Sequence, residues 1–387
     1  MTKVSPCVVC AAPLNAPLYA THRGTALTSL GEPIAGNIAV FFCDRCGHAQ
    51  GAGVAEVAQF YSDDYHILTA NADEDDLYEM KDGLPVFRSV HQLATLLAKV
   101  DVPQGAQVLD YGCAKAATLK RLVSARADIK GHAFDVSDRY RSFWQAFLLE
   151  DAQATFTLPD TWAKKFDVVI SFFAFEHIDA PGQALADIRR VIKPGGTVYL
   201  IVPNALFNPA DLVVIDHVNH FMPPSIEALL RRGGFEALDI DLKAHHGGVV
   251  VVARAATSSE PDWLPPAADV EAVRTRVESD CAYWQRLDEG FDRLEQDLRA
   301  ESFAVYGAGF YGRYIANTLR RPERIACFID QNPFLRGKTL MGRAIVGPRD
   351  LPPGVKDIVV GLNPKVARDI ISRVSDLPQN QFHFHYL

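Results

Sequence analysis

The chain has 387 residues, of which 48% are hydrophobic and 22% charged, and its formal net charge is −8. This length favours two or three domains, and the composition is that of a globular protein without long disorder. A negative net charge argues against broad nucleic-acid binding, which needs a basic face. Apolar runs stay short of the roughly 20 residues of a membrane helix, and residues 1–10 lack a signal-peptide pattern. We therefore expect a cytoplasmic enzyme with a small-molecule substrate and neither a membrane nor a nucleic-acid partner.

Two Cys-x-x-Cys pairs stand near the start of the chain, and they consist of Cys7, Cys10, Cys43 and Cys46. In a reducing compartment, paired cysteines of this kind are typical metal ligands. Four thiolates can surround Zn²⁺ tetrahedrally at about 2.3 Å each, which leaves no open position for chemistry. The pattern predicts a structural zinc; free structural cysteines are the alternative. His48 follows the second pair and is predicted to be a loop residue rather than a ligand.

The central stretch alternates apolar, strand-like runs with helix-like segments, which predicts a parallel sheet covered by helices. The strand-like runs include 107–112, 131–135, 166–171, 197–202 and 249–253. The first run ends in Asp110-x-Gly112 and the second ends in Asp135. Ligands of open α/β sheets sit outside the carboxyl ends of strands near the switch in strand order. Asp135 is therefore expected to accept ribose hydroxyls, and Gly112 to let the backbone approach a ligand. The alternative is that either acid only caps a helix.

The rear of the chain carries a second glycine motif. Residues 267–300 have apolar positions at helical spacing and predict a long helix. The strand-like run 303–306 then leads into Gly307-x-Gly309-x-x-Gly312, and a further strand-like run ends in Asp330. This arrangement is typical of phosphate binding at a helix N-terminus, with the acid on a ribose. Because the remaining stretch is short and shows no hydride-transfer machinery, we favour a structural half-Rossmann fold or a nucleotide-sugar cradle over a dehydrogenase that binds NAD.

The central motifs resemble those of class I S-adenosylmethionine (SAM)-dependent methyltransferases. The similar segments are Val108–Cys113, the acid Asp135, Phe166–Val169, Phe175–Asp179 and Lys193–Gly196. The resemblance implies a Rossmann-like α/β domain. It also implies SAM contacts at Asp110, Tyr111, Gly112, Asp135, Val136, Phe172, Phe173 and His177. One departure lies directly after the first motif, where Ala114-Lys115-Ala116-Ala117 replaces the usual glycine-rich continuation.

The whole order of modules resembles the bacterial zinc-containing sugar C-methyltransferases, which methylate a carbon beside a ketone on a nucleotide-linked deoxysugar. The segments similar to that family include 61–65, 216–221 and 330–333. The resemblance implies His217 as the base, with His177 and His220 as alternatives, Asp216 as its neighbour and Tyr65 as an enolate donor. It implies substrate contacts at Tyr61, Tyr65, Gly307, Gly309, Gly312 and Asp330. Asp216 replaces the family's glutamate, and Val214 and Ile215 replace a tyrosine and a histidine.

These observations predict four stretches along the chain: a zinc module over 1–60, a SAM-dependent methyltransferase domain over 61–256, a linker helix over 257–300 and a small Rossmann-like domain over 301–387. The first functional hypothesis is C-methylation of a nucleotide-linked keto-deoxysugar by base-assisted enolate formation. The alternatives are methyl transfer to oxygen or nitrogen of another metabolite, an NAD-dependent oxidoreductase module at the rear, and a non-catalytic scaffold. The oligomeric state stays open.

Overall fold

The structure is a computed structural model that describes residues 5–53, 75–81, 84–298, 301–378 and 380–386. The chain packs into two compact units. The first consists of residues 1–16, 41–205 and 216–275, and the second of 17–40, 206–215 and 276–387. Each of these units joins segments that are far apart along the chain. The division into four contiguous domains expected from the sequence therefore stays a prediction. No helix in the described residues combines the length and apolarity needed to cross a membrane.

The front of the chain forms short strands. They are β1 (Tyr19–Ala20), β2 (Thr25–Leu27), β3 (Pro33–Ala35), β4 (Ala39–Phe42) and β5 (Ala49–Gly51). In the second unit, β1 pairs antiparallel with the start of β4, and β2 pairs with β3. Strand β4 leads directly into the second cysteine pair.

The first unit is built on a sheet of mixed direction. Its elements after β5 are β6 (Leu77–Lys81), β7 (Leu84–Phe87), α1 (Arg88–Lys99), β8 (Gln107–Tyr111), α2 (Ala117–Ala125), β9 (Lys130–Asp135), α3 (Arg141–Trp144), β10 (Gln153–Thr155), β11 (Phe166–Phe172), α4 (Pro181–Val191), β12 (Ile192–Pro203), β13 (Asn219–His220), α5 (Pro223–Arg232), β14 (Phe235–His245) and β15 (Gly248–Ala255). The strand order is β10-β9-β8-β11-β12-β15-β14, with β10 to β12 parallel and β15 antiparallel to both neighbours.

Both faces of this sheet are buried, which explains why its strands read as nearly continuous apolar runs. Val108 and Ile170 point into one hydrophobic core, whereas Leu109 and Val169 point into the other. The strand order reverses between β8 and β11, because the chain first adds strands on one side of β8 and then on the other. The carboxyl ends of β8 and β11 are therefore where a ligand is expected.

Residues 193–196, which were expected to form a turn, lie within β12 and interrupt its regular pairing with β11. The register with β11 passes from Phe166↔Ile192 to Val168↔Thr197, so several residues on β12 oppose one on β11. Gly195 has φ +72°, a left-handed conformation that glycine adopts without a steric penalty.

The rear elements are α6 (Ala267–Asp297), β16 (Phe303–Tyr306), α7 (Phe310–Thr318), β17 (Ile325–Ile329), β18 (Thr339–Leu340), β19 (Arg343–Val346), β20 (Asp357–Val360), α8 (Ala367–Ser372) and β21 (His383–Tyr386). Their strand order is β18-β19-β17-β16-β20-β21, and every pairing is parallel except that of β18 with β19. Short 3₁₀ turns occupy Glu150–Ala152, Asp160–Trp162, Phe175–His177, Pro209–Val213, Pro322–Arg324 and Pro348–Asp350. The predicted fold class, Rossmann-like α/β with a second small Rossmann-like region, is confirmed.

Candidate active site

Gly112 follows β8 at the point where the strand order reverses. Its backbone N–H donates to the Phe134 carbonyl at 2.9 Å, and its φ is +69°. A Cβ at this position would lie 2.7 Å from the Cβ of Ala174, which belongs to the loop after β11. Only a residue without a side chain lets the two loops approach this closely. The backbone therefore forms a shallow cradle at the expected ligand position.

The alanines that replace the usual glycines keep the backbone shape that glycine would adopt. Ala114 has φ +44° and Ala116 has φ +53°, both in the left-handed region that is costly for a residue with a Cβ. The Ala114 carbonyl accepts a hydrogen bond from the Trp144 indole N–H at 2.6 Å, which holds the loop in place. The departure from the family pattern therefore places two residues that carry a Cβ in strained backbone conformations.

Two buried carboxylates, Asp110 and Asp135, lie beside this cradle. Asp135 accepts hydrogen bonds from the backbone N–H groups of Ala114 at 2.9 Å and Ser137 at 3.1 Å. Burial raises its pKa, and these donors offset part of the effect. Burial, followed by the charge of Asp135, raises the pKa of Asp110 well above its ordinary value. Among the described residues, Oδ1 of Asp110 is buried without a hydrogen-bond partner. A ligand that donates hydrogen bonds and carries positive charge suits this arrangement.

The remaining SAM contacts expected from the sequence lie in different environments. The Tyr111 ring is buried and packs on Phe134, with ring centroids 4.9 Å apart. Val136 is 62% exposed after the end of β9. Phe172 ends β11, and Phe173 follows it with φ +53°. Strained backbone of this kind is often found at functional sites.

Histidines and a buried acid meet next to the loop after β11. His177 Nδ1 lies 2.9 Å from the backbone carbonyl of Asp216 and 3.6 Å from its carboxylate. Because a carbonyl only accepts, Nδ1 donates, and Nε2 of a neutral His177 carries the lone pair. The rings of His177 and His217 are nearly perpendicular, with centroids 4.8 Å apart. The structure thus brings together His177, Asp216 and His217, three of the residues expected from the sequence.

Donor atoms of Glu176, His177 and His217 all lie within 4.8 Å of one another. This combination of one carboxylate and two imidazoles is chemically able to hold a divalent metal ion. Glu176 is 1% exposed and was not singled out from the sequence.

Asn219 connects the segment that carries His177 to the front of the chain through hydrogen bonds. This residue was not identified from the sequence. Its side-chain amide donates to the carbonyls of Phe175 at 3.1 Å and Ile178 at 2.7 Å. Its Oδ1 lies 3.2 Å from Nε2 of buried His48, whose pKa burial lowers to about 3. Since His48 is neutral, Nε2–H donates to Asn219. The sequence offered one signal. Asparagine is depleted in strands, yet Asn219 stands between an apolar residue and a histidine in a strand.

Strand β13 also positions His220, which is 1% exposed. Residues 219 and 220 pair antiparallel with Gln50 and Ala49 of β5. His220 therefore lies in a buried strand pair, whereas His177 and His217 are half-buried. Tyr61 and Tyr65, the expected substrate and enolate contacts, lie outside the described residues.

Val214 and Ile215, which depart from the family's polar pair, take part in packing within the second unit. Val214 forms a parallel β-bridge with Leu27, and the Ile215 N–H donates to the Leu27 carbonyl at 3.0 Å. Both side chains are buried, at 7% and 6% exposure. Apolar side chains suit these positions, which explains the substitutions without a role in chemistry.

The four front cysteines are all buried and form one cluster. Sγ of Cys7 lies 3.6 Å from that of Cys46, and Sγ of Cys10 lies 3.4 Å from that of Cys43. A tetrahedral zinc with bonds of about 2.3 Å requires sulfur–sulfur distances of about 3.8 Å. A side-chain hydrogen bond with the Cys10 sulfur raises the pKa of Cys46. The cluster is compatible with a Cys₄ zinc site.

The glycine motif of the second unit forms a tightly closed turn. A Cβ on Gly312 would lie 1.9 Å from the Gly307 carbonyl oxygen, and one on Gly307 would lie 2.3 Å from the Gly361 carbonyl oxygen. Gly309, at the N-terminus of α7, has open space around its Cβ position. Asp330 accepts from the backbone N–H groups of Ala308 at 2.9 Å and Asn332 at 2.8 Å. Two of the glycines are thus required by backbone packing, and one faces open space.

Known proteins resemble the central region of the chain. Residues 85–240 match the sequence family described as "Methyltransferase domain". A "Probable S-adenosylmethionine-dependent methyltransferase" of Mycolicibacterium smegmatis is 26% identical over 189 residues, which are 44% of this chain and 72% of that protein.

This region is a SAM-dependent methyltransferase domain. The enzyme class expected from the sequence is thereby confirmed: the protein is a SAM-dependent methyltransferase, with SAM as its methyl donor.

Further similarities concern the same part of the methyltransferase. The "Ubiquinone biosynthesis O-methyltransferase" of Burkholderia pseudomallei is 24% identical over 161 residues, which are 37% of this chain and 69% of that enzyme. The crystal structure of an S-adenosylmethionine dependent methyltransferase from Mesorhizobium loti overlaps with a TM-score of 0.35 at 15% identity, covering 42% of this chain and 97% of that one. None of these similarities supports the NAD-dependent alternative.

Proposed function

We propose that the methyltransferase acts on a carbon beside a ketone in a nucleotide-linked deoxysugar. The observation that supports this most directly is the meeting of His177, Asp216 and His217 next to the loop after β11. Methyl transfer to oxygen or nitrogen can proceed with little help from a base. Removal of a proton beside a carbonyl needs one, and histidine has a pKa near operating pH.

In the proposed reaction His217 accepts the α-proton, and the electron pair of that C–H bond passes into an enolate. SAM supplies the methyl group when bound; the new C–C bond forms as the methyl–sulfur bond breaks and its electron pair stays on sulfur. His177, oriented by its Nδ1–H bond to Asp216, positions the His217 ring. Tyr65 is proposed to donate to the enolate oxygen. His220 remains the alternative base.

The cofactor is proposed to bind at the end of β8. Asp135 has two oxygens held by backbone N–H groups and lone pairs left for ribose hydroxyls. Asp110 has a buried oxygen without a partner among the described residues, and Gly112 lets the loop that contains Ala174 pack closely against the turn after β8. Tyr111, Val136, Phe172, Phe173 and His177 complete the proposed cofactor contacts.

We also propose a structural zinc at Cys7, Cys10, Cys43 and Cys46, because the sulfur spacing fits a tetrahedron with no open position. The rear turn is proposed to bind the nucleotide, with open Gly309 facing the phosphates, Gly307 and Gly312 shaping the turn, and Asp330 near the ribose. Tyr61 is proposed as a further substrate contact.

Deuterium exchange tests the reaction. Enzyme saturated with S-adenosylhomocysteine is incubated in D₂O with a thymidine-diphosphate-linked 4-keto-6-deoxy sugar, and the α-position is followed by NMR. Exchange that His217→Ala abolishes and Ser142→Ala leaves unchanged supports the proposal. Methylation at oxygen or nitrogen without exchange contradicts it.

Calorimetric titration with thymidine diphosphate, uridine diphosphate and NAD tests the nucleotide. Saturable binding of a pyrimidine diphosphate that NAD does not share supports the nucleotide-sugar assignment, whereas S-adenosylhomocysteine binding without nucleotide binding contradicts it. Metal analysis tests the zinc: one equivalent per chain is expected, and Cys43→Ser should lower it.

The second candidate is O-methylation of another small metabolite. It is favoured by the similarity to proteins named as ubiquinone biosynthesis O-methyltransferases. His217→Ala would then retain substantial activity, because a hydroxyl group needs less help to lose its proton.

A further inference from the structure

His245 is a buried histidine that the proposed reaction does not use. It is the last residue of β14 and is 5% exposed. Its Nδ1 lies 2.8 Å from the backbone carbonyl of His246. Since a carbonyl accepts only, Nδ1 carries the proton, and in a neutral ring Nε2 is left with a lone pair. Among the described residues this Nε2 is buried and has no hydrogen-bond partner.

Aromatic rings surround His245 on several sides. Ring centroids lie 4.9 Å away at Tyr78, 5.2 Å away at His91 and 5.3 Å away at Phe173. Burial lowers the pKa of His245 to about 4, so the ring is neutral under ordinary conditions. His91 is also held in one tautomer, because its Nε2 lies 3.0 Å from the Ala244 carbonyl. Aromatic rings therefore surround His245, and the Arg88 guanidinium lies 5.5 Å from the centroid of the Phe173 ring.

This aromatic group lies at the ligand edge of the sheet. Phe173 directly follows β11, and its neighbour Ala174 makes the close approach to Gly112. Strand β15 begins beside the end of β12, with Pro203 opposite Gly248. His245 therefore lies on the β12 side of the strand-order reversal, whereas Asp110 and Asp135 lie on the β8 side. A methyl acceptor is expected on the side away from these acids.

We propose that His245 determines acceptor specificity: its buried Nε2 accepts a hydrogen bond from a sugar hydroxyl group of the methyl acceptor. The inference rests on the proposed function for the class of acceptor and adds the residue that recognises it. An acceptor without a hydroxyl group at this position would leave the buried Nε2 unpaired.

Tyr78 packs edge-on against His245. The ring lies on the hairpin of β6 and β7, is half-buried, and stacks on His91 with a centroid distance of 3.8 Å. Its hydroxyl accepts from the backbone N–H of His246 at 2.7 Å.

Substitution separates recognition from packing. His245→Phe keeps a ring and removes the nitrogen, whereas His245→Gln keeps a neutral acceptor group near the Nε2 position. His246→Gln is the matched control, since the His246 side chain is 71% exposed.

His245→Phe should raise the KM for the acceptor by about tenfold to a hundredfold, the range expected when a buried hydroxyl loses its partner. His245→Gln should raise it less, and His246→Gln and the KM for SAM should stay unchanged. A wild-type acceptor KM in His245→Phe overturns the inference.

NMR of protein labelled with ¹⁵N-histidine gives a readout independent of turnover. The His245 resonances are assigned by their loss in His245→Gln, and S-adenosylhomocysteine and then the thymidine-diphosphate-linked 4-keto-6-deoxy sugar are added. A change in the Nε2 resonance on addition of the sugar supports the inference. Calorimetric heat from the sugar without a change at Nε2 overturns this inference alone. Absence of heat contradicts the proposed function and this inference with it.

Discussion

The turn after β8 in the first unit and the turn after β16 in the second are built alike. In each, a glycine with positive φ follows the strand, and its N–H donates to the last or next-to-last carbonyl of the neighbouring strand, Phe134 or Ile329. In each, an acid at the end of that neighbouring strand (Asp135, the last residue of β9) or directly after it (Asp330, after β17) accepts from the turn and from the residue two positions on.

The two turns differ in what lies around this shared frame. The first has a second buried acid, Asp110, and a loop held in left-handed alanines. The second ends its strand in Tyr306 and closes its glycines against Gly361. The same backbone frame can thus support either a ligand site or close packing, and only the flanking residues indicate which. A glycine motif by itself is therefore weak evidence for a nucleotide.

Gly312→Ala should have the largest effect on stability. Its Cβ would lie 1.9 Å from the Gly307 carbonyl oxygen, so the backbone must move. We expect a loss of about 3 kcal/mol in the free energy of unfolding, measured by urea denaturation. Gly309→Ala is the control, because its φ is −81° and its Cβ position is open. Equal stability of the two variants would show that close packing does not explain the motif.

Asp135→Asn should weaken SAM binding by about tenfold to a hundredfold, because a charged acceptor for the ribose hydroxyls is lost. Asp330→Asn changes the corresponding acid of the second turn and should leave SAM affinity unchanged. Isothermal titration calorimetry with SAM measures both. Comparable losses in the two variants would contradict the assignment of the cofactor to the first turn.

Asp110→Asn should stabilise the free protein at neutral pH by about 1 kcal/mol. Burial raises the native pKa of Asp110 above its ordinary value of 3.8, so the native state holds the proton more tightly than the unfolded state. Stability is therefore lost as pH rises from that value through the native pKa. Thermal unfolding across this range should show the variant's advantage growing with pH and then levelling off. An advantage that is constant with pH would assign the effect to something other than ionisation.

Ala114→Gly should have the smallest effect. Ala114 has φ +44°, and glycine removes the steric penalty of about 1 kcal/mol while adding flexibility to the unfolded chain. A rise in melting temperature of a few degrees at most is expected, with SAM affinity unchanged. A large loss of SAM affinity would mean that the Ala114 methyl group contacts the cofactor.

Much of the fold could be predicted from the sequence because its signals are local. Apolar runs of strand length, acids at their ends and glycines at sharp turns located β8, β9, β11 and β16 to within a few residues. The cysteine spacing likewise predicted a cluster. These patterns reflect backbone geometry and burial, which act over a few neighbouring residues.

The histidine group was only partly predictable. His177 and His217 were named because of a family resemblance, but their approach depends on how two distant segments cross. Asn219 and His245 gave no local signal of their partners, since a single polar residue within a strand has many structural explanations. The unpaired nitrogen of His245 is visible only when the surrounding carbonyls and rings are in place.

The bonds of Asn219 join the strand after the second cysteine pair to the loop that carries His177. Residues 48–50 and 219–220 therefore behave as one structural block, although about 170 residues separate them. The segment that contains the four cysteines therefore depends on its contacts with the segment around Asn219 and is not an independent module. A chimaera that exchanges the front of the chain between relatives must carry the segment around Asn219 with it, or the loop that carries His177 loses its hydrogen bonds to Asn219.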